Sequence, residues 1–280
     1  MNSRRGRRGA YLVSSCVVGI IISFCHTLSL ASPAPQQWIS LSEGDLAPIS
    51  LGKNEERIRR ALKNKDWRYA ARLLNDNSPP LIFLKAWFYA QAEDWKRSLA
   101  ALKGLEEHPI LNDEVNALIT QAHLKLKQPL EAERAGSRVS KVDLALWRET
   151  LRSRGQALRS LKRWDEAIKV YQQLGESDNE FERGISALGL AMIEVERGHV
   201  EDGLRKLKQV DIIFTGRWVS GQAKREAKHI LNRSPKLAPM WRQRSASERI
   251  QKLEGTLKRG QHSEVIGRVN SLLKQSLSDD

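Results

Sequence analysis

The segment LKRWDEAIKVYQQL, Leu161 to Leu174, places two carboxylates, Asp165 and Glu166, between Trp164 and Tyr171. Two carboxylates that share a pocket can divide general-acid and general-base work, provided their surroundings push their pKa values apart. Adjacent residues on a helix point about 100° apart, so this pair cannot share a proton. Both acids instead fall in the first turn of the helix that the segment predicts, where the helix dipole favours negative charge. A third acid, Glu176, precedes Ser177 in the stretch ESDNEFE. A general acid needs an apolar pocket to raise its pKa. Asp178, Glu180 and Glu182 make this a solvated acidic loop, and no catalytic role is assigned to it.

Other chemistry is equally thin. The six histidines, His26, His108, His123, His199, His229 and His262, include no pair at i+3 or i+4, so no metal site is predicted. Cys16 and Cys25 both lie in the N-terminal apolar run, so a chain without that run has no thiol for catalysis, metal binding or a disulfide. There is no HExxH, CxxC, glycine-rich phosphate loop or GxSxG. Neither a catalytic residue nor a cofactor is expected.

The elements that carry these residues are helices in a repeat. Helix formers dominate from Asn54 onward, and Pro79, Pro80, Pro109, Pro129, Pro235 and Pro239 fall where helices would start or stop. Six segments begin alike: KDWRYAARLL, EDWKRSLAALKGL, KQPLEAERAGSRV, KRWDEAIKVYQQL, GHVEDGLRKLKQV and GQHSEVIGRVNSLL. Their third residues stand at 67, 95, 129, 164, 200 and 262, so the steps are 28, 34, 35, 36 and 62. The widest step has room for two further helices, near 218–232 and 246–259.

Spacing and slots together resemble the tetratricopeptide (TPR) family, whose unit of about 34 residues is helix A, a tight turn and helix B. That family has small residues where A and B cross. The fourth unit supplies Gly155, Leu158, Ala167 and Tyr171; the second Ala86, Tyr89, Ser98 and Leu102; the fifth Ala191, Glu194, Gly203 and Leu207. The third, with Thr120, His123, Ala132 and Gly136, departs from the pattern at three places. The predicted fold is all-α, a superhelix (solenoid) of TPR-like antiparallel helix pairs over residues 54–215, continued by a basic helical extension over 216–280. Trp67, Trp95 and Trp164 share the slot where helix B leaves the turn, and packing over that turn is their expected role.

The repeat register turns Phe83, Trp87, Gln121, Lys125, Arg152, Gln156, Arg159 and Met192 toward the concave face. TPR stacks bind there. Two aromatics would anchor an extended peptide or protein segment, and Arg and Lys would take its carboxylates.

The N-terminus sets the compartment. MNSRRGRRG is a positive region, an apolar stretch follows, and Ser29 and Ala31 supply small residues before SPAPQQ. This is the layout of a signal peptide over 1–31, followed by a linker over 32–53, and it predicts a periplasmic location. An alternative is a retained membrane anchor.

Such a leader, the linker, the Trp-marked turns and the tail SERIQKLEGTLKRGQHSEVIGRVNSLL resemble the N-terminal helical superhelix of soluble lytic murein transglycosylases. The catalytic domain of that family carries Glu-Ser, a GLMQ-like segment and later tyrosines. Here Gly189-Leu190-Ala191-Met192 lacks the Gln, and no Tyr follows Tyr171. The resemblance therefore implies the scaffold without the enzyme domain: a non-catalytic protein of the cell envelope. The alternative is one part of a split peptidoglycan lyase.

Charge adds a second surface. Lys and Arg number 47 against 33 Asp and Glu, a net of +14. Residues 205–260 hold 15 basic and 4 acidic residues, whereas residues 176–202 hold 8 acidic and 2 basic. The basic segment reads either as a solvated helical face or as a contact with peptidoglycan or an anionic envelope surface. An exported chain has no nucleic acid to meet, so none is expected as a partner.

Overall fold

A computed structural model describes residues 50–276, with side chains described through 271. The predicted signal peptide and all of the predicted linker before residue 50 lie outside the described residues. Among the described residues the chain is all-α, with no strand. Its helices are α1 (Glu55–Lys63), α2 (Trp67–Leu73), α3 (Pro79–Gln91), α4 (Trp95–Leu102), α5 (Asn112–Lys125), α6 (Pro129–Gly136), α7 (Leu144–Ser160) and α8 (Trp164–Gly175). There follow α9 (Glu180–Glu196), α10 (Val200–Ile213), α11 (Trp218–Arg233), α12 (Ala238–Arg242), α13 (Ala246–Leu257) and α14 (His262–Ser276). The two helices predicted in the widest step are α11 and α13. Pro79 and Pro129 open α3 and α6, where a missing N–H costs nothing.

The six predicted turns close in one way. Two residues before each anchor the backbone is left-handed: Lys65 (φ 56°), Glu93 (56°), Lys127 (59°), Lys162 (58°), Gly198 (93°) and Gly260 (75°). The next N–H then reaches back five residues. Asp66 donates to Ala61, Asp94 to Tyr89, Gln128 to His123, Arg163 to Leu158, His199 to Glu194 and Gln261 to Thr256, at 2.8–3.4 Å. This six-to-one bond is the Schellman closure, which satisfies carbonyls at a helix end and reverses the chain. Asp66 and Asp94 then cap α2 and α4 by accepting the N–H groups of Tyr69 and Arg97.

The crossing slot, three residues after each anchor, is small and buried in five hairpins. Ala70, Ser98, Ala132 and Ala167 are at 0% exposure, and Gly203 is buried. Four residues further on, Leu74, Leu102, Gly136, Tyr171 and Leu207 are buried as well. Gly203 shows why the slot must be small. A Cβ there would lie 2.9 Å from the Val195 backbone N and 3.1 Å from the Ala191 carbonyl oxygen, so α9 and α10 could not keep their approach.

Contacts divide the chain into two compact units, one ending at Ala167 and one beginning at Ile168, within α8. In unit 1, consecutive helices from α1 to α7 pack in succession, and α3 also meets α5, as α5 meets α7. Its core gathers Phe83, Phe88, Leu102, Leu111 and Leu118. In unit 2, α9, α10 and α11 pack on one another, α12 and α13 rest on α10, and α14 pairs with α13. Its core gathers Leu204, Leu207, Val210, Val219 and Ala223. The predicted start of a C-terminal extension at 216 falls inside unit 2, between the packed helices α10 and α11.

Candidate functional site

Five of the eight residues predicted to face a partner stand on two neighbouring helices of unit 1. Gln121 and Lys125 are one turn apart on α5, and Arg152, Gln156 and Arg159 follow i, i+4, i+7 spacing on α7, which packs against α5. Lys125 and Gln156 are exposed, and the other three are half-buried. The Lys125 Nζ lies 6.0 Å from the Trp95 ring centroid, a cation–π contact that holds the cation beside α4. Arg152 forms an ion pair with Glu149 one turn earlier. The surface is therefore polar and cationic, with its guanidinium groups partly engaged.

The other three residues stand elsewhere. Phe83 and Trp87 are 1% and 2% exposed and belong to the unit 1 core. Trp87 meets the Trp67 ring edge-on at 5.6 Å, so these aromatics bind α2 to α3 and are closed to a ligand. The reason is visible in α3 itself: PPLIFLKAWFYAQ is apolar on nearly every side, so periodicity cannot say which side faces outward. Met192 lies in unit 2, half-buried against its core.

The residues predicted to pack the repeat differ in their exposure. Trp67 and Trp95 cover the unit 1 core from the starts of α2 and α4. Gly155, Leu158 and Ala167 are buried, and Trp164 is half-buried. Tyr171 packs on α9, where a Cβ at Gly189 would collide with its ring. Asp165 and Glu166 are exposed, and Glu166 takes the Arg163 guanidinium, with Nε 2.6 Å from Oε1. Glu176 is exposed in the turn between α8 and α9, and Ser177 beside it accepts the N–H of Asn179.

Two carboxylates not singled out in the sequence are the most deeply set. Glu114, in the first turn of α5, is buried. Burial raises its pKa to about 6, against the pull of its own backbone N–H, and Asp113 and Asp143 add to the rise. Asp211, on α10, is fully buried. Its Oδ1 accepts the Ser220 hydroxyl at 2.7 Å and meets Lys224 Nζ at 3.3 Å. Its Oδ2 meets the Arg244 guanidinium at 2.8 Å and Lys252 Nζ at 3.3 Å. Burial alone would raise the Asp211 pKa. The Ser220 hydroxyl, Lys252 and Lys224 outweigh it and hold the group below the ordinary carboxylate range. Beside it, Lys208 pairs with Glu248 at 2.9 Å. The only sequence signal for Asp211 is a lone acid inside the apolar run VDIIF.

These pairs sort the basic segment. Lys208, Lys224, Arg244 and Lys252 are taken up by Asp211 and Glu248, and Arg205, Lys206 and Arg217 pair with Asp202, Glu194 and Glu180 of the acidic segment. Arg225, Lys228, Arg233, Lys236, Arg242, Arg249 and Lys258 are exposed, with no acid at ion-pair distance among the described residues. Among the described residues no three His, Cys, Asp or Glu side chains converge as a metal set, and no helix is long and apolar enough to cross a membrane. No family model, curated protein or solved structure matches the chain.

Proposed function

We propose that the chain is a non-catalytic TPR-like scaffold of the bacterial cell envelope that holds an extended protein or peptide segment along the helix A face of unit 1. The observation that carries the reading is the polar, cationic strip of Gln121, Lys125, Arg152, Gln156 and Arg159 on the packed helices α5 and α7. The shared turn geometry and the small crossing slots support the TPR-like description. Polar side chains at i, i+4 and i+7 on α7, beside Gln121 and Lys125 on α5, give an extended chain a row of donors, and guanidinium groups favour carboxylates. The leader supports a periplasmic site, and the resemblance to the transglycosylase scaffold supports a role in peptidoglycan metabolism. The exposed cations of 225–258 supply a second contact, toward peptidoglycan or another anionic surface of the envelope.

A photocrosslinking residue placed at Gln156 in growing cells tests the reading. A discrete adduct with an envelope protein is expected at Gln156 and not at Glu131, an exposed position on the helix B α6. Equal labelling at both positions, or none at Gln156, defeats it. Release of muropeptides from purified sacculi would defeat the non-catalytic part alone.

A further inference from the structure

We infer that the α13–α14 hairpin is an interfacial element that docks the protein on an anionic lipid surface. The inference rests on the reading of the basic segment as an anionic-surface contact, and it names the surface and the residues. In four other hairpins the second helix receives a following helix: α3 on α2, α5 on α4, α7 on α6, α11 on α10. Among the described residues no helix does this for α13 and α14. Ile250, Leu257 and Ile266 are consequently 57%, 46% and 61% exposed. On α13, Ile250 and Leu257 lie two turns apart on the side opposite Glu248, Lys252 and Thr256, which face α10.

Each of these apolar residues on α13 sits beside an exposed cation, Arg249 next to Ile250 and Lys258 next to Leu257. Neither cation has an acid at ion-pair distance among the described residues. A polysaccharide or a simple polyanion would use the cations and leave Ile and Leu in water. A membrane interface uses both, because phosphate headgroups and the start of the acyl region lie within one side-chain length. Asp211 fixes the presentation. Through Arg244 and Lys252 it ties the loop before α13 and the inner side of that helix to α10, which turns Ile250 and Leu257 away from α10.

The test uses the full chain and vesicles of neutral phosphatidylcholine with or without phosphatidylglycerol. Binding is expected only with phosphatidylglycerol, with new hydrogen-exchange protection over 246–271. That readout separates this surface from any lipid contact of the N-terminal apolar run. Ile250→Ser with Ile266→Ser should weaken binding about tenfold at any salt. Arg249→Glu with Lys258→Glu should weaken it by a similar factor and flatten its salt dependence. All four positions are exposed, so both variants should keep the wild-type circular dichroism and melting temperature. Wild-type binding by both variants, or protection elsewhere, overturns the assignment. So does loss of sacculus binding, but not vesicle binding, on charge reversal. Failure of the wild type to bind any anionic surface would instead overturn the underlying reading.

Discussion

Glu114 and Asp211 are both buried carboxylates, and their surroundings push them in opposite directions. Burial is the largest influence on Glu114, and the nearby acids Asp113 and Asp143 push it the same way. Its pKa is higher in the folded chain than in the unfolded one. It therefore favours folding while protonated, and that advantage is lost as pH rises from about 4.5 through about 6. Glu114→Gln should then gain about 2 kcal/mol at pH 7 and almost nothing at pH 4. Thermal denaturation at the two pH values checks it, and an equal gain at both would show that charge is not the cause. Asp211 behaves in the reverse sense. Its lowered pKa means that its contribution is present above the ordinary carboxylate pKa and is lost as pH falls below about 4. Asp211→Asn leaves the Arg244 and Lys252 charges without their counterion. A loss of about 3–5 kcal/mol is expected in urea denaturation followed through the unit 2 core. A loss under about 1 kcal/mol would mean that water screens the cluster.

At the scale of the element, the turn is the unit that repeats, and its chemistry is not uniform. Gly198 and Gly260 take the left-handed position at little steric cost, whereas Lys65, Glu93, Lys127 and Lys162 hold the same conformation with a Cβ. Replacing one such residue by glycine should stabilise the chain by about 0.5–1 kcal/mol, the left-handed penalty less the backbone entropy of glycine. The four turns are separate, so the gains should nearly add, to about 2–4 kcal/mol in the quadruple variant. Melting temperatures of the single and quadruple variants measure this; a fall on Lys162→Gly would mean that the Lys side chain contributes more than its backbone costs. The turns were legible because the anchors after them share a slot and a spacing. Their left-handed residue was not, since Lys and Glu give no local sign of it. The polar strip on α5 and α7 was legible because amphipathic spacing marks a face. The burial of Phe83 and Trp87 was not, because a helix apolar all round has no marked face. The Asp211 cluster escaped for a different reason: its partners lie 9 to 41 residues away along the chain. Nothing in local pattern joins them until α10, α11 and α13 pack.

At the scale of the molecule, stability should be local. Within each unit the helices pack mainly on their sequence neighbours, and the units have cores of their own, around Phe83 and Phe88 in one and around Leu204 and Leu207 in the other. In stacks of this kind stability is nearly a sum of repeat and nearest-neighbour contributions. Gly203 offers the means to weaken one repeat alone. Its added Cβ would press on the backbone of α9, at the Val195 N and the Ala191 carbonyl, and backbone cannot turn aside as a side chain can. Gly203→Ala should therefore force α9 and α10 apart and cost about 1–3 kcal/mol. Native-state hydrogen exchange shows where that cost falls. Amides of α9, α10 and α11 should lose protection by that amount, while those of α3, α4 and α5 keep theirs. Equal loss in both sets would mean that the chain unfolds as one cooperative body. The near-additive repeat picture would then fail for this protein, however regular its turns.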